Sequence, residues 1–427
     1  MDEHKRLYAL VDANNFYATC ESIFDPRLQG KSLVVLSNND GCIVARSAEA
    51  KAHGIPMGAP LHEWRDFCDF TGTEIKSSNY ALYGDMSRRM LSVLQDNCER
   101  VESYSIDESF LDLTGQSDPT QMGYFLRSEV RRRTKITCGV GIGPTKTLAK
   151  FANMIAKKQP WYGGVFNIAD QPHDFITNLF EAYPVNEVWG VGNRLKKSLE
   201  AHGIKTVLDL ATADPKLIRT HFNVVLEKTV RELWGEPCLS LEEVAPDKQQ
   251  IMASRSFGQT TTNPKDLAAA IANHVSRAAE KLRAQNSQCQ YVYVMLRTNP
   301  FREKDPQYRR STIVPLAVPS SDTRVLLKAA MVGLKEIFKS GYRYHKAGIM
   351  LSGISQVGVQ QADLFTEIRD EKSDRLMSTI DQINQRFGRG TLHVASTDLT
   401  SQWKMRQDLR SPSYTTNWKE LPVVIAN

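Results

Sequence analysis

Near the amino terminus, apolar residues come in short blocks separated by polar turns. Leu7-Tyr-Ala-Leu-Val11 predicts a buried strand closed by Asp12. Phe16, Cys20 and Ile23 recur at i, i+4 and i+7, predicting a helix over 15–24 with one buried face. Leu33–Leu36 and Cys42–Ala45 read as strands across an Asn38-Asn-Asp-Gly41 turn. Ser47–His53 reads as a short helix ended by Gly54. Arg100–Ile106 and Ser109–Leu113 predict a hairpin with Asp107 and Glu108 at its tip. Ile136–Ile142 predicts a further strand and Lys146–Lys158 a helix. Residues 185–236 read as helical throughout, and the polar stretch Glu242–Gln250, with Pro246, reads as a linker.

The pattern then changes. Ile251–Phe257 is strand-like, and Asn263-Pro264 supplies an N-cap and a first-turn proline for an Ala-rich helix to about Gln285. Cys289–Thr298 and Ser311–Val318 predict strands, Asp322–Ser340 a helix and Tyr342–Ser352 a strand. The order βαββαβ is that of a split βαβ sandwich, one sheet with two helices on one face. Residues 361–427 are polar and irregular, with isolated Trp403 and Trp418, and read as a tail that orders on a partner.

Length and charge sharpen this division. At roughly 100–200 residues per domain, 427 residues suggest two to four domains. Lys and Arg total 54 against 48 Asp and Glu, a net of +6. The excess is local: residues 243–350 hold 17 basic and 8 acidic side chains, whereas 1–80 hold 8 and 11. A basic, self-contained unit of this kind suits a polyanion such as nucleic acid. No apolar run is long enough to span a membrane, and the start, Met1-Asp-Glu-His-Lys-Arg, has no signal-like apolar stretch. The seven cysteines contain no Cys-x-x-Cys pair, which argues against a thiolate zinc site and predicts a reducing cytoplasm.

The candidate chemistry lies in acids that end strands. If the strand closed by Asp12 lies beside the hairpin tipped by Asp107 and Glu108, three carboxylates meet at one sheet edge. Such hard oxygen donors suit Mg²⁺, and two ions ~3.5–4 Å apart can clamp an in-line phosphoryl transfer. Adjacent strand residues point to opposite faces, so Asp107 and Glu108 share a site only if the turn bends there. By spacing alone, such a pair is more often a solvated turn than a site. Gly139-Val-Gly-Ile-Gly-Pro-Thr-Lys146-Thr147 invites a P-loop reading, but Thr145 stands where glycine must precede the lysine, which excludes it. A nucleotidyl cyclase, or a DNA-binding protein without catalysis, also stays open at this point.

Several motifs then bear a resemblance. Val11-Asp-Ala-Asn-Asn-Phe-Tyr17, Tyr104-Ser-Ile-Asp-Glu-Ser-Phe110, and Gly139 to Lys150 with Ala156-Lys157 resemble the Y-family translesion DNA polymerases. The likeness continues through Ser37-Asn-Asn-Asp-Gly-Cys42, Ser78-Asn-Tyr80, Gly203 to Leu210 and Gly235-Glu-Pro-Cys238, from about residue 7 to the C-terminus.

This resemblance implies an α+β multidomain fold, a right-hand polymerase. Its palm would occupy 1–25 and 77–170, small fingers 26–76, and a helical thumb with a helix-hairpin-helix 171–242. The βαββαβ little finger would occupy 243–355, and 356–427 would hold a clamp-binding motif and partner-binding tail. The reaction would be error-prone addition of deoxynucleotides opposite damaged template, in the SOS response. Asp12, Asp107 and Glu108 would be catalytic and, with the Ala13 carbonyl, hold two Mg²⁺ ions. Asn15, Phe16, Tyr17, Lys51 and Lys157 would bind the nucleotide, and Tyr17 would be the steric gate beneath its sugar. Ala45 and Ala48 depart from the hydroxyl and tyrosine of many relatives, and Lys51 from their arginine, which loses a bidentate phosphate fork.

Gly190 and Gly192, with Arg194, Lys196 and Lys197, would grip primer-template DNA, as would Arg255, Arg297 and Arg310. Gln361-Ala362-Asp363-Leu364-Phe365 matches the pentapeptide that binds the sliding clamp. A UmuD′ dimer and RecA are the further partners implied. Fingers of only about 50 residues would close loosely over the nascent pair, and a roomy site discriminates little.

Overall fold

The computed structural model describes residues 6–244, 246–357, 371–388, 390–395 and 405–421. They fall into two compact units. One comprises Met1–Ser37, Gly41–Ala245 and Leu409–Asn427, the other Asn38–Asp40 and Pro246–Asp408.

The first unit begins with β1 (Tyr8–Ala13) and α1 (Phe16–Phe24). A small layer follows: β2 (Leu33–Leu36), β3 (Ile43–Arg46), α2 (Ala48–Ala52), α3 (Leu61–Phe70) and β4 (Glu74–Ser77). Its sheet has the order β3-β2-β4. Then come α4 (Tyr80–Gln95), β5 (Val101–Ser103), β6 (Glu108–Asp112), α5 (Pro119–Thr134), β7 (Cys138–Gly143), α6 (Lys146–Lys158) and β8 (Val165–Asn167). The main sheet runs β5-β6-β1-β7-β8, with β1 antiparallel to both β6 and β7.

Alternation along β1 sends its side chains to two cores. Ala9, Val11 and Ala13 pack with Leu111, Val140 and Ile142 under α4 and α5, while Tyr8 and Leu10 pack with Phe110 and Ala149 of α6. Helices α4 and α5, for which no sequence expectation existed, begin at side-chain caps from Asn79 and Asp118. α7 (His173–Ala182) precedes the stretch 185–236 read as helical, which holds α8 (Asn193–Ala201), α9 (Val207–Ala211), α10 (Pro215–His221) and α11 (Val224–Leu233).

The second unit has the expected βαββαβ order: β9 (Ile251–Thr261), α12 (Pro264–Ala284), β10 (Ser287–Thr298), β11 (Arg309–Ser320), α13 (Thr323–Ile337) and β12 (Tyr344–Gln356). The sheet order β11-β10-β12-β9 puts each crossover around a strand of the other half, all neighbours antiparallel. Asn263 caps α12 as expected, accepting from the Lys265 N–H at 3.0 Å. Pro315 and Pro319 are tolerated because β11 is an edge strand.

The tail differs from its expected irregularity. Glu371–Phe387 forms α14, which buries Met377 and places Asp381 to accept two bonds, at 2.6 and 2.7 Å, from one edge of the Arg283 guanidinium. Leu376, Met377, Ile380, Ile383 and Phe387 recur at helical spacing between charges, and that stripe is what folds. Residues 405–421 also have a placed backbone. The pentapeptide Gln361–Phe365 lies outside the described residues.

Candidate active site

The site is the end of the main sheet where β1 stops and β6 starts. Asp12 stands directly opposite Glu108 in the antiparallel register. One residue further, the Ala13 N–H donates to the Asp107 carbonyl at 2.9 Å, so the hairpin backbone stays bound to β1 past the ladder. Asp107 precedes β6 and belongs to the bend, so strand alternation does not decide which face its side chain takes.

Ser105 makes that bend. Its hydroxyl accepts from the N–H groups of Asp107 (3.3 Å) and Glu108 (3.1 Å) and donates to the Asp107 carboxylate at 2.7 Å. The serine lies inside a motif singled out from the sequence, but nothing in its spacing reveals this role.

Helix α6 supplies the counter-charges. Its approach depends on Gly139, Gly141 and Gly143, which alternate onto one face of β7. A Cβ on Gly141 would lie 2.0 Å from the Asn153 nitrogen and 2.2 Å from the Ala149 oxygen, so only glycine lets the helix backbone rest there. The pattern that mimics a phosphate loop is thus a helix seat. Lys146, Lys150 and Lys157 consequently lie across the sheet, one to each of three adjacent strands. Lys146 pairs with Glu102 of β5, Lys150 with both Glu108 oxygens of β6 at 2.9 Å, and Lys157 with Asp12 of β1 at 2.7 Å. The Lys150 ammonium also lies over the rings of Tyr104 (4.9 Å) and Trp189 (5.3 Å). A Cβ on Gly139 would strike the Lys157 stem at 2.9 Å, so that glycine clears the path to Asp12.

Electrostatics mark Asp12. Burial pushes its carboxyl up to about 6, Lys157 pulls it down, and the charges of Glu108 and Asp107 add to the rise. Lys51 is lowered by burial first, then by repulsion from Arg46 and Lys157. A cleft of about 650 Å³ opens beside this group, lined by Asn14, Asn15, Lys51, Arg127, Ala156 and Lys157, among others. Arg127 is a cation that the sequence did not flag.

Asn15 adopts the left-handed conformation (φ 49°) that turns the chain from β1 into α1. Phe16 is buried beneath the helix, and Tyr17 stacks on Tyr83 with ring centroids 4.3 Å apart and 14° between planes.

The donor set fits a hard divalent cation: three carboxylates from two adjacent strand ends, with only oxygen ligands. Lysine ammonium groups already sit on two of them as stand-in cations. Among the described residues, however, no three acidic, histidine or cysteine side chains converge closely enough to hold an ion. To share one, Asp12 and Glu108 would have to leave their lysines.

The remaining predicted residues fall in two places. Gly190 has φ 88° in the turn before α8, and Gly192 caps that helix, which carries exposed Arg194 and Lys197; Lys196 reaches back to Glu200 at 3.8 Å. In the second unit, Arg297 faces Arg309 and Lys346 across its two neighbouring strands. Arg310 and Arg255 instead register with buried Leu296 and Ala347, on the face that packs the helices, although their own side chains are exposed. Arg309 and Lys346 escape sequence reading because only the strand register brings them together.

Comparison with known proteins completes the picture. The impB/mucB/samB family model matches residues 11–154, and the model of that family's C-terminal domain matches 248–364. A domain of unknown function (DUF4113) matches 374–424. The chain is similar to protein UmuC of Salmonella typhimurium strain LT2, 46% identical over 420 residues, covering 97% of this chain and 99% of that protein. Protein ImpB of Salmonella typhimurium is 44% identical, covering 98% and 99%. DNA polymerase IV of Moorella thermoacetica is 28% identical, covering 90% and 94%. Among solved structures, the Y-family DNA polymerase chimera Dbh-Dpo4(243-245)-Dbh aligns with a TM-score of 0.62 at 20% identity, covering 82% of this chain and 99% of that one. The insertion ternary complex of Dbh DNA polymerase aligns at 0.53 and 19%, with the same coverage.

Proposed function

The chain belongs to the impB/mucB/samB family of Y-family translesion DNA polymerases, and we propose that Asp12, Asp107 and Glu108 are the residues with which it extends a primer. It is a DNA-directed DNA polymerase of a divalent-metal-dependent kind. The observation that carries the residue assignment is the register of Asp12 against Glu108, with Asp107 tethered to Ala13 at the same sheet end.

Two Mg²⁺ ions, when bound, supply activation of the primer 3′-hydroxyl and charge neutralisation on the departing pyrophosphate. Asp12, Asp107 and Glu108, with the Ala13 carbonyl, would hold them. Ser105 keeps the Asp107 carboxylate aimed at that end. Lys157, freed from Asp12, would turn to the triphosphate together with Lys51 and Arg127 in the adjoining cleft. The first-turn N–H groups of α1 have no partner within the helix and favour phosphate. Tyr17, held against Tyr83, is the ring that would exclude a 2′-hydroxyl.

The sheet 1–25 with 77–170 serves as palm, 26–76 as fingers, 171–242 as thumb and 243–355 as little finger. Gly190, Gly192 and α8 suit a duplex phosphate, and Arg297 with Arg309 and Lys346 suit several. UmuD′, RecA and the sliding clamp, the last through Gln361–Phe365, are the proposed partners, acting in the cytoplasm during the SOS response. No described helix is long and apolar enough to cross a membrane. Primer extension by the purified chain with Mg²⁺ and dNTPs, with and without UmuD′ and activated RecA, tests this reading. Template-dependent synthesis is expected. Its absence under every condition, with DNA binding retained, contradicts the reading.

A further inference from the structure

The Lys150 ammonium is held from two sides. Both oxygens of Glu108 accept from it at 2.9 Å, and the ring centres of Tyr104 and Trp189 lie 4.9 and 5.3 Å away. The two rings meet edge to face at 90°, with centroids 5.4 Å apart, and both pack on Phe110, at 5.6 and 6.0 Å. An ammonium over ring faces gains most where water is thinned, and the Lys150 side chain is only 25% exposed. The rings therefore stabilise Lys150 where it stands, on Glu108, and favour the state in which that carboxylate is closed to a divalent cation.

The two rings come from different parts of the chain. Tyr104 belongs to the hairpin that carries Asp107 and Glu108. Trp189 belongs to the turn Val188–Val191, closed by the Val191 N–H donating to the Val188 carbonyl at 3.0 Å. Both valines are buried, and Gly190, third in the turn, takes φ 88°, which glycine adopts without strain. The turn is thus anchored at both ends. Trp189 packs inward beside Leu10 and Phe110. Gly190 is exposed and leads to Gly192, which caps α8 without a side-chain acceptor. A phosphate seated on this turn sits one residue from the ring that holds Lys150.

We propose that Trp189 is a latch: it keeps Lys150 on Glu108 while no DNA is bound, and a duplex phosphate seated on the Gly190–Gly192 turn shifts it, freeing Glu108 for a divalent cation. Primer-template binding and metal binding are thereby coupled. This deepens the readings of Glu108 as a metal ligand and of the turn as a duplex grip, and rests on both. Trp189 is a positioning residue, since it acts through Lys150.

The test measures Mn²⁺ dissociation constants by electron paramagnetic resonance, with and without primer-template, in full-length chains: wild type, Trp189→Leu, Trp189→Phe, Lys150→Met, Trp189→Leu/Lys150→Met and Glu108→Gln. Without DNA, losing the ring should tighten Mn²⁺ binding about 3–10-fold in Trp189→Leu. Trp189→Phe, which keeps a ring face, should stay closer to wild type. Adding Trp189→Leu to Lys150→Met should change nothing, because the latch has no lysine left to hold. Primer-template should tighten Mn²⁺ binding more in wild type than in Trp189→Leu, again by about 3–10-fold. Mn²⁺ should tighten primer-template binding, read by fluorescence anisotropy, by the same factors.

Wild-type affinity in Trp189→Leu beside a tighter one in Lys150→Met overturns the latch. So does a Trp189→Leu gain that persists without Lys150. Equal behaviour of Trp189→Phe and Trp189→Leu traces the effect to packing and overturns the role of the ring. An equal gain from DNA in wild type and Trp189→Leu overturns the coupling. Unchanged Mn²⁺ binding in Glu108→Gln removes the metal reading, and the latch with it. Unchanged primer-template affinity in Arg194→Ala/Lys197→Ala, measured without metal, removes the grip reading, and the coupling with it.

Discussion

Two charged regions of this molecule are built on opposite rules. At the end of the main sheet, Glu102, Glu108 and Asp12 each hold a lysine from α6. On the sheet of the second unit, Arg297, Arg309 and Lys346 stand side by side, and among the described residues none of them forms an ion pair with a carboxylate. Crowding adds to burial there: Lys346 is lowered by burial and then by Arg297 and Arg255, and His345 by burial and then by Arg297, Arg302 and Lys346.

The difference teaches how each region receives its ligand. The first pairs these three acids with lysines, so under the proposed reading it would take ligand by exchange: cations would replace the lysines on Asp12 and Glu108, and the released lysines would meet phosphate. The second carries uncompensated charge, so it gains from a polyanion directly and should do so in a salt-dependent way.

The largest expected effect breaks the first region. Asp107→Asn removes one of the three charges proposed to hold the ions and should lower primer extension at least about 100-fold, while a gel-shift assay should show primer-template binding nearly unchanged. Extension at the wild-type rate would separate these carboxylates from catalysis. Next comes the second region. Replacing Arg297, Arg309 and Lys346 together with Ala should weaken duplex binding and flatten the slope of log K against log salt by roughly 3. An unchanged slope would mean that this face does not meet phosphate.

The smallest effect sharpens the contrast through pH. The Asp12 carboxyl is raised from its ordinary value of 3.8 to about 6, chiefly by burial. Below about pH 4 it is protonated in folded and unfolded chains alike, and its contribution to stability is complete. Between those values only the folded chain keeps the proton, so this contribution falls as pH rises and is lost above about 6. In EDTA, thermal melts should therefore show wild type losing about 2 kcal/mol relative to Asp12→Asn from pH 4 to 7. A flat difference would mean that Asp12 is not buried as described.

Much of this was legible because local rules and tertiary structure agree. The apolar run ending at Asp12, the Asp107–Glu108 hairpin and the Asn263-Pro264 helix start all carry short-range signals, and all fold as read. The lysine row was hidden because Gly139, Gly141 and Gly143 resemble a phosphate loop until the helix resting on them is seen. Arg309 and Lys346 depended on strand register, which sequence spacing does not contain. The bond between Asn79 and Ser411 spans 332 residues and leaves no local trace. Helices α4, α5 and α14 are omissions with readable signals, the first two in their caps Asn79 and Asp118, the last in an apolar stripe masked by the polarity of its surroundings.

The central claim is that Asp12, Asp107 and Glu108 jointly hold the divalent ions beneath the triphosphate. Electron paramagnetic resonance titration of Mn²⁺, with primer-template and a non-hydrolysable dNTP present, tests it most directly. Two bound ions per wild-type chain are predicted, with at least one lost in Asp107→Asn. Equal binding by wild type and Asp107→Asn would contradict the account.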